Sequence, residues 1–154
     1  MLILTPLLKS LVRPVLEYGN SVWNTTLKKH PKLIEDVQRR FSRKITGLKD
    51  LSYEQRLHKL NLPSLEYRRL RGDLIETYKI LHGIYDTNTT SNLLHLNSSA
   101  NTRGHSLKLN KNQVRTSKFS NFFTNRIVNI WNNLPKSVVL AETVNGFKNG
   151  IGRQ

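Results

Sequence analysis

Apolar residues recur at spacings of three and four in four segments of the first 83 residues. This spacing places side chains on one face of an α-helix, whereas a strand would require alternation. We therefore predict a mainly α fold, with a helical bundle over residues 1–85. The predicted buried stripes are Leu4, Leu8, Leu11, Val12 and Val15; Leu33, Ile34, Val37, Phe41 and Ile45; Leu57 and Leu60; and Tyr67, Leu70, Leu74, Tyr78 and Leu81.

Proline, glycine and capping residues mark the ends of these helices. Pro14 lacks an N–H and crowds the preceding turn, so we expect a kink there before the first helix ends near Gly19. Pro31 suits the first position of the second helix, which should stop near Gly47. Ser52 to Gln55 has the pattern of a capping box and predicts the start of a third helix.

The composition changes at residues 86–102, which are dominated by Asn, Ser and Thr and predict a polar linker. A small C-terminal helical region, which we expect to be truncated, should follow over residues 103–154. Leu107 and Leu109 alternate with Lys108 and predict a short strand. Glycines after Thr143 argue against a continuous helix at the end of the chain. One longer helix is predicted with a buried face made of Phe119, Phe123, Ile127, Ile130, Trp131 and Leu134.

The chain is strongly basic, with 25 Lys and Arg against 10 Asp and Glu in 154 residues, a net charge of +15. Residues 1–27, 28–82 and 83–154 contribute +1, +7 and +7, so the charge is not confined to one arm. Such a distribution favours a polyanionic partner bound over an extended surface.

Several classes of protein are excluded or disfavoured. Cysteine is absent, which excludes disulfide scaffolds and thiolate zinc sites and fits a reducing compartment. The apolar N-terminal run is too short and lacks the flanks of a signal peptide, and no run approaches the roughly 20 apolar residues of a membrane span. We expect a location in the nucleus or cytoplasm, with no secretion and no membrane partner.

Autonomous catalysis is also disfavoured. Nucleotidyl transfer requires carboxylates that hold metal ions, but the four aspartates are far apart and no Asp-Asp pair occurs. Phosphate-binding loops, nucleophile elbows and metalloprotease motifs are absent from the sequence. We therefore expect no catalytic residue, no metal site and no cofactor in this chain.

The basic helices carry the candidate binding residues. Glu35 precedes Arg39, and Asp36 precedes Arg40, by four residues, so these arginines are predicted to form intrahelical ion pairs. By contrast, a second group of basic residues has no carboxylate three or four positions away. We regard these residues as candidates for phosphate contact, and the alternative is that they form a solvated cationic face. This group is Arg43, Lys44, Arg68 and Arg71.

Aromatic side chains are a second class of candidate, because single-stranded nucleic acid stacks on them. Most lie on apolar helix faces, and core packing is the favoured interpretation for Tyr67, Tyr78, Phe123 and Trp131. Tyr53 and Tyr85 lie near the ends of elements and are weaker stacking candidates.

Four motifs in order give the chain a family resemblance: LVRPVLEYGNSVW, VQRRF, LNLPSLEYRRLRGDLIETYKIL and FKN. Over residues 7 to about 148 it resembles the C-terminal region of a jockey-like non-LTR retrotransposon reverse transcriptase. The resemblance implies a thumb-like helical region over residues 1–85 and a C-terminal extension. The implied partners are RNA and DNA as a template–primer duplex.

The resemblance also assigns residues. The basic helices of the family match Arg39, Arg40 and Arg43 in QRRFSR, and Arg68, Arg69 and Arg71 in YRRLRG. No catalytic residue transfers, because the aspartates and Mg²⁺ of such polymerases belong to a palm that this sequence does not match. We therefore expect a fragment that binds nucleic acid beside the palm and fingers of a parent polymerase and has no activity alone. The alternative is a helical protein-interaction or structural module that needs the rest of the polymerase.

Overall fold

The computed structural model describes residues 4–23, 29–98 and 104–152 and confirms a mainly α fold. Across these residues the only β pairing is an isolated antiparallel bridge between Leu96 and Leu109. The helices are α1 (Leu4–Leu7), α2 (Arg13–Glu17), α3 (Asn20–Trp23), α4 (Lys29–Arg43), α5 (Tyr53–Lys59), α6 (Leu65–Leu81), α7 (Thr87–Thr90), α8 (Ser117–Ser120), α9 (Phe123–Arg126), α10 (Val128–Asn132), α11 (Lys136–Val139) and α12 (Val144–Ile151), with a π-helical turn at Leu8–Val12.

The chain divides into two compact units, residues 1–70 and 71–154, so the division falls inside α6 and not at the predicted boundary after residue 85. Side chains of the last turns of α6 bond to the C-terminal region, which explains this position. Asp73 forms an ion pair with Arg126, and the Tyr78 hydroxyl donates to the Ala141 carbonyl at 2.5 Å.

The predicted polar linker contains ordered structure. Asp86 caps α7 by accepting from the Asn88 N–H at 3.1 Å, and Leu94 is buried. Leu96 pairs with Leu109 in the bridge. The remainder of the predicted linker, residues 99–102, lies outside the described residues.

In the first unit, Pro14 produces the predicted irregularity as a π-helical turn. The Arg13 N–H donates to the Leu8 carbonyl, five residues back, which widens the helix where the Pro14 ring would otherwise crowd a carbonyl. The predicted stripe is wrong at two positions, because Leu11 and Val15 are 63% and 76% exposed whereas Arg13 is buried.

The core of the first unit is formed by the turn after α4, the loop after α5 and the π-helical turn. Its buried members are Leu8, Ile45, Leu48, Leu60 and Leu62, with Val12, Phe41, Leu51 and Leu57 packed against them. The predicted capping box at Ser52 and Gln55 is present and begins α5.

The buried face of α4 is partly polar, which corrects the predicted stripe. Leu33 and Val37 are exposed, whereas Gln38 and Ser42 are buried. Arg13 donates to the Gln38 amide oxygen at 2.8 and 3.1 Å, and Arg56 donates to the Ser42 hydroxyl at 3.1 Å. Because these hydrogen bonds satisfy the buried polar groups, burying polar residues where leucine would be expected costs little folding free energy.

The second unit is organised around stacked aromatic rings. Phe147 stacks on Tyr78 with 4.5 Å between ring centroids, and Trp131 lies 5.8 Å from Phe147. The Trp131 indole donates to the Leu107 carbonyl at 2.7 Å, and the Asn132 side chain bonds both backbone groups of Leu109. The predicted strand at Leu107–Leu109 is thus a single bridge held by side chains.

Two further expectations are corrected in this unit. The predicted long helix is divided into α8, α9 and α10, with Phe119 and Ile130 exposed. The end of the chain is helical despite its glycines, because Thr143 caps α12 and Gly150 lies against Val138, where a Cβ atom would approach to 3.0 Å.

Candidate nucleic-acid interface

The C-terminal end of α4 presents three cations, Arg40, Arg43 and Lys44, which we call the α4 cationic end. Ser42 and Ile45 on either side are buried, so the backbone that carries these cations is anchored to the core. All three side chains are exposed, and none has a hydrogen bond or ion pair to any residue in the described part of the chain.

These cations have a structural role that follows from their position at the C-terminus of a helix. The last carbonyls of a helix carry partial negative charge, and lysine or arginine nearby stabilises the helix by roughly 0.3–1 kcal/mol. That interaction leaves most of the donors of each side chain in solvent. The same three cations can therefore also contact phosphate groups.

Arg39 has nearby partners, although not the predicted one. Its Nε atom lies 3.8 Å from an Asp36 carboxylate oxygen, and its guanidinium lies 4.8 Å from the centroid of the Tyr53 ring. Glu35 instead accepts hydrogen bonds from the Tyr53 hydroxyl and from two backbone N–H groups of α6. The predicted pairs Glu35–Arg39 and Asp36–Arg40 are therefore wrong.

Arg68 has a carboxylate partner that local spacing does not reveal. It forms a bidentate interaction with Glu17, 51 residues earlier, with one N–O distance of 2.7 Å and a shorter bond through Nε. The hydrogen bonds with Glu17 raise the pKa of Arg68. Much of its charge is already neutralised within the first unit.

The other two arginines of the YRRLRG motif occupy different settings. Arg69 is 3% exposed and does not reach the surface as a phosphate ligand would. Arg71 lies in the second unit, where it is half-buried and donates to the Lys148 carbonyl at 2.8 Å. Four of the seven residues selected from the sequence therefore lie at the C-terminal end of α4: Arg39 and the three residues of the α4 cationic end.

The aromatic candidates differ in burial from the sequence-based expectation at one position. Tyr78, Phe123 and Trp131 are buried as predicted, whereas Tyr67 is exposed. The two weaker stacking candidates are both engaged: the Tyr53 hydroxyl bonds Glu35, and the Tyr85 hydroxyl donates to Glu76 at 2.5 Å.

Two exposed phenylalanines were not identified from the helical pattern. Phe119 and Phe122 lie on the surface of the second unit. The sequence contains no signal for their exposure, because a buried helical stripe can include adjacent residues such as Phe122 and Phe123, and Phe119 continues the spacing of Phe123 and Ile127.

Within the described residues, no group of three or more His, Cys, Asp or Glu side chains is placed to hold a metal ion. None of the helices in those ranges has the length and apolar character needed to cross a bilayer. Comparison with protein-family models, curated proteins and solved structures finds no match to this chain.

Proposed function

We propose that this chain is the thumb-like, nucleic-acid-binding region of a reverse transcriptase similar to those of jockey-like non-LTR retrotransposons. In this proposal it grips the backbone of a template–primer duplex of RNA and DNA. The observation that carries the proposal is the α4 cationic end, where three exposed cations without intramolecular partners in the described residues follow one another on an anchored backbone. The net charge of +15 and the order of the family motifs support it.

Arg40, Arg43 and Lys44 are the proposed phosphate ligands. Each contact releases counterions from the duplex, which supplies affinity without reading sequence. Arg39 is a weaker phosphate ligand in this proposal, because its side chain already contacts Asp36 and the Tyr53 ring. Arg68 contributes less because of Glu17, and the burial of Arg69 removes it from the proposed set.

The proposal assigns no catalytic step to this chain. Phosphoryl transfer would require Mg²⁺ held by clustered carboxylates, and the proposal assigns that chemistry to a palm. The contribution of the α4 cationic end is to bind and orient the duplex.

A second candidate function is a helical protein-interaction module. The specific observation that favours it is the exposure of large apolar side chains on the helices of the first unit, Leu11, Val15 and Leu33. Exposed apolar side chains that lie together in one patch are typical of a contact surface. Duplex binding by the purified chain alone separates the two functions, since a module of this kind would not bind.

The test is a titration of labelled duplex DNA and RNA–DNA hybrid with the purified chain, followed by fluorescence anisotropy at several salt concentrations. Three phosphate contacts predict a slope of log affinity against log salt of about −3 on duplex DNA, between about 50 and 200 mM salt. Two unrelated sequences should give equal affinities. A flat salt response, or binding to one sequence only, would contradict the proposal.

A further inference from the structure

Phe119 and Phe122 are 64% and 52% exposed at the junction of α8 and α9. Exposing part of a phenylalanine ring forgoes the free energy that its burial would contribute. These two residues lie three positions apart in the sequence, and the core of the second unit leaves both rings largely in solvent.

The backbone between these phenylalanines is held in place by hydrogen bonds. The Phe119 carbonyl accepts from the Phe122 N–H at 3.2 Å and from the Asn125 side chain at 2.9 Å. Arg126 donates to the Asn121 carbonyl at 3.2 Å.

Arg126 is itself fixed by a buried carboxylate. It donates to both oxygens of Asp73, at 2.9 and 3.0 Å, and Asp73 is buried. The turn that presents the two rings is therefore anchored to α6 within the second unit. A rigid presentation of this kind reduces the entropy cost of binding a ligand.

The stretch of chain that contains this turn carries side-chain charge of one sign, and the Asp73 carboxylate that reaches it from α6 is buried and paired with Arg126. Residues 87–141 contain no Asp or Glu and seven Lys and Arg. Lys111 and Arg115, which precede the turn, are exposed. A ligand that covers the rings therefore meets only positive side-chain charge from this stretch of chain, which selects for a polyanion with flat apolar faces.

We propose that Phe119 and Phe122 stack on the bases of a single-stranded nucleic acid while nearby cations contact its phosphates. Stacking on phenylalanine tolerates any base, and flanking lysine and arginine track the backbone. An anionic membrane is a poorer fit, because α8 and α9 have four residues each and do not provide the long amphipathic helix that lies in a bilayer surface. This site extends the proposed function but does not depend on the α4 cationic end.

The test uses the full chain and two labelled probes, a thymidine oligonucleotide and a backbone of equal length whose residues are abasic. Phe119→Ala and Phe122→Ala should each weaken binding of the thymidine oligonucleotide roughly 5- to 150-fold. Phe119→Trp should retain binding, whereas Phe119→Leu should not, because leucine is apolar but cannot stack. Binding of the abasic probe and of duplex DNA should be unchanged.

Leu140→Ala is the matched control, because Leu140 is an exposed apolar residue of the same unit. It should leave binding of both probes unchanged, and far-UV helicity should be equal in all variants because the replaced side chains are exposed. Wild-type affinity in Phe119→Leu, or an equal loss on the abasic probe, would overturn the stacking site. So would alanine variants that bind the thymidine oligonucleotide normally but lose binding to phosphatidylserine vesicles.

These outcomes are distinguishable from failure of duplex binding. Loss of duplex affinity in Arg43→Gln with single-strand binding retained supports two separate sites. Absence of duplex binding, with a thymidine affinity that still depends on Phe119, would refute the proposed function and leave the stacking site intact.

Discussion

His105 is a buried imidazole in the second unit with only one hydrogen bond in the described residues. Its Nε2 atom lies 3.2 Å from the Trp131 carbonyl, the ring meets the Trp131 ring edge-on, and Nδ1 is buried without a partner in that part of the chain. Burial lowers the pKa of His105, and Lys108 lowers it further, although the Trp131 carbonyl opposes this shift. The neutral form is therefore favoured in the folded protein.

This shift predicts that acid destabilises the protein. An unfolded histidine titrates near pH 6.5, so as the pH falls below that value the unfolded chain takes up a proton that folded His105 resists. The free energy of unfolding should therefore decline as the pH falls below about 6.5, with a slope from this group of at most about 1.4 kcal/mol per pH unit. Urea unfolding at several pH values measures the decline.

A pair of variants isolates the contribution of His105. His105→Gln should flatten the pH dependence over this range, whereas His95→Gln should preserve it because His95 is exposed. An unchanged pH dependence in His105→Gln would refute the assignment.

At the scale of elements, Glu35 of α4 fixes the start of α6. Its carboxylate accepts from the Leu65 and Glu66 N–H groups at 3.3 and 3.1 Å, as well as from the Tyr53 hydroxyl. Those N–H groups belong to the first turn of α6, where no intrahelical acceptor is available. A negative side chain in this position acts as a cap supplied by another helix.

Glu35→Ala should lower the free energy of unfolding by about 1–3 kcal/mol, because it removes this cap and the acceptor of a half-buried hydroxyl. Asp36→Ala is the matched control, since the neighbouring carboxylate makes only a partly exposed contact with Arg39 and should cost less than about 0.5 kcal/mol. Thermal and urea unfolding of both variants provide the comparison. Equal losses in the two variants would mean that the contacts of Glu35 to α6 contribute nothing.

The buried face of α4 shows what apolar periodicity cannot predict. The pattern identified Ile34, Phe41 and Ile45 on the inner side, but Gln38 and Ser42 are inside because arginines from other elements satisfy them. Such partners are distant in sequence and leave no local signal. The same holds for Glu17 and Arg68, which explains why a search limited to positions three and four residues away does not find the partner of Arg68.

For the whole molecule, helical spacing was sufficient to predict the mainly α fold, since the signal recurs in four segments of the first 83 residues and again between Phe119 and Leu134. The division into units was less predictable, because it depends on contacts such as Asp73 with Arg126 that join α6 to the C-terminal region. The exposure of Phe119 was not predictable from a continuous pattern, because the helix is interrupted between α8 and α9.

In the proposed function, the exposed cations of the α4 cationic end, which have no partner among the described residues, hold the duplex. The salt dependence of binding in three variants tests this role. Arg43→Gln and Lys44→Gln should each lower the magnitude of the slope of log affinity against log salt by about 1 on duplex DNA. Arg68→Gln should change the slope much less, because Glu17 already engages that side chain. Far-UV circular dichroism of each variant confirms that the helices remain.

The proposed role of the α4 cationic end in duplex binding predicts that only its variants lower the slope by about 1, equally for unrelated duplex sequences. It is contradicted if Arg43→Gln and Lys44→Gln keep the wild-type slope, or if Arg68→Gln lowers it as much as they do.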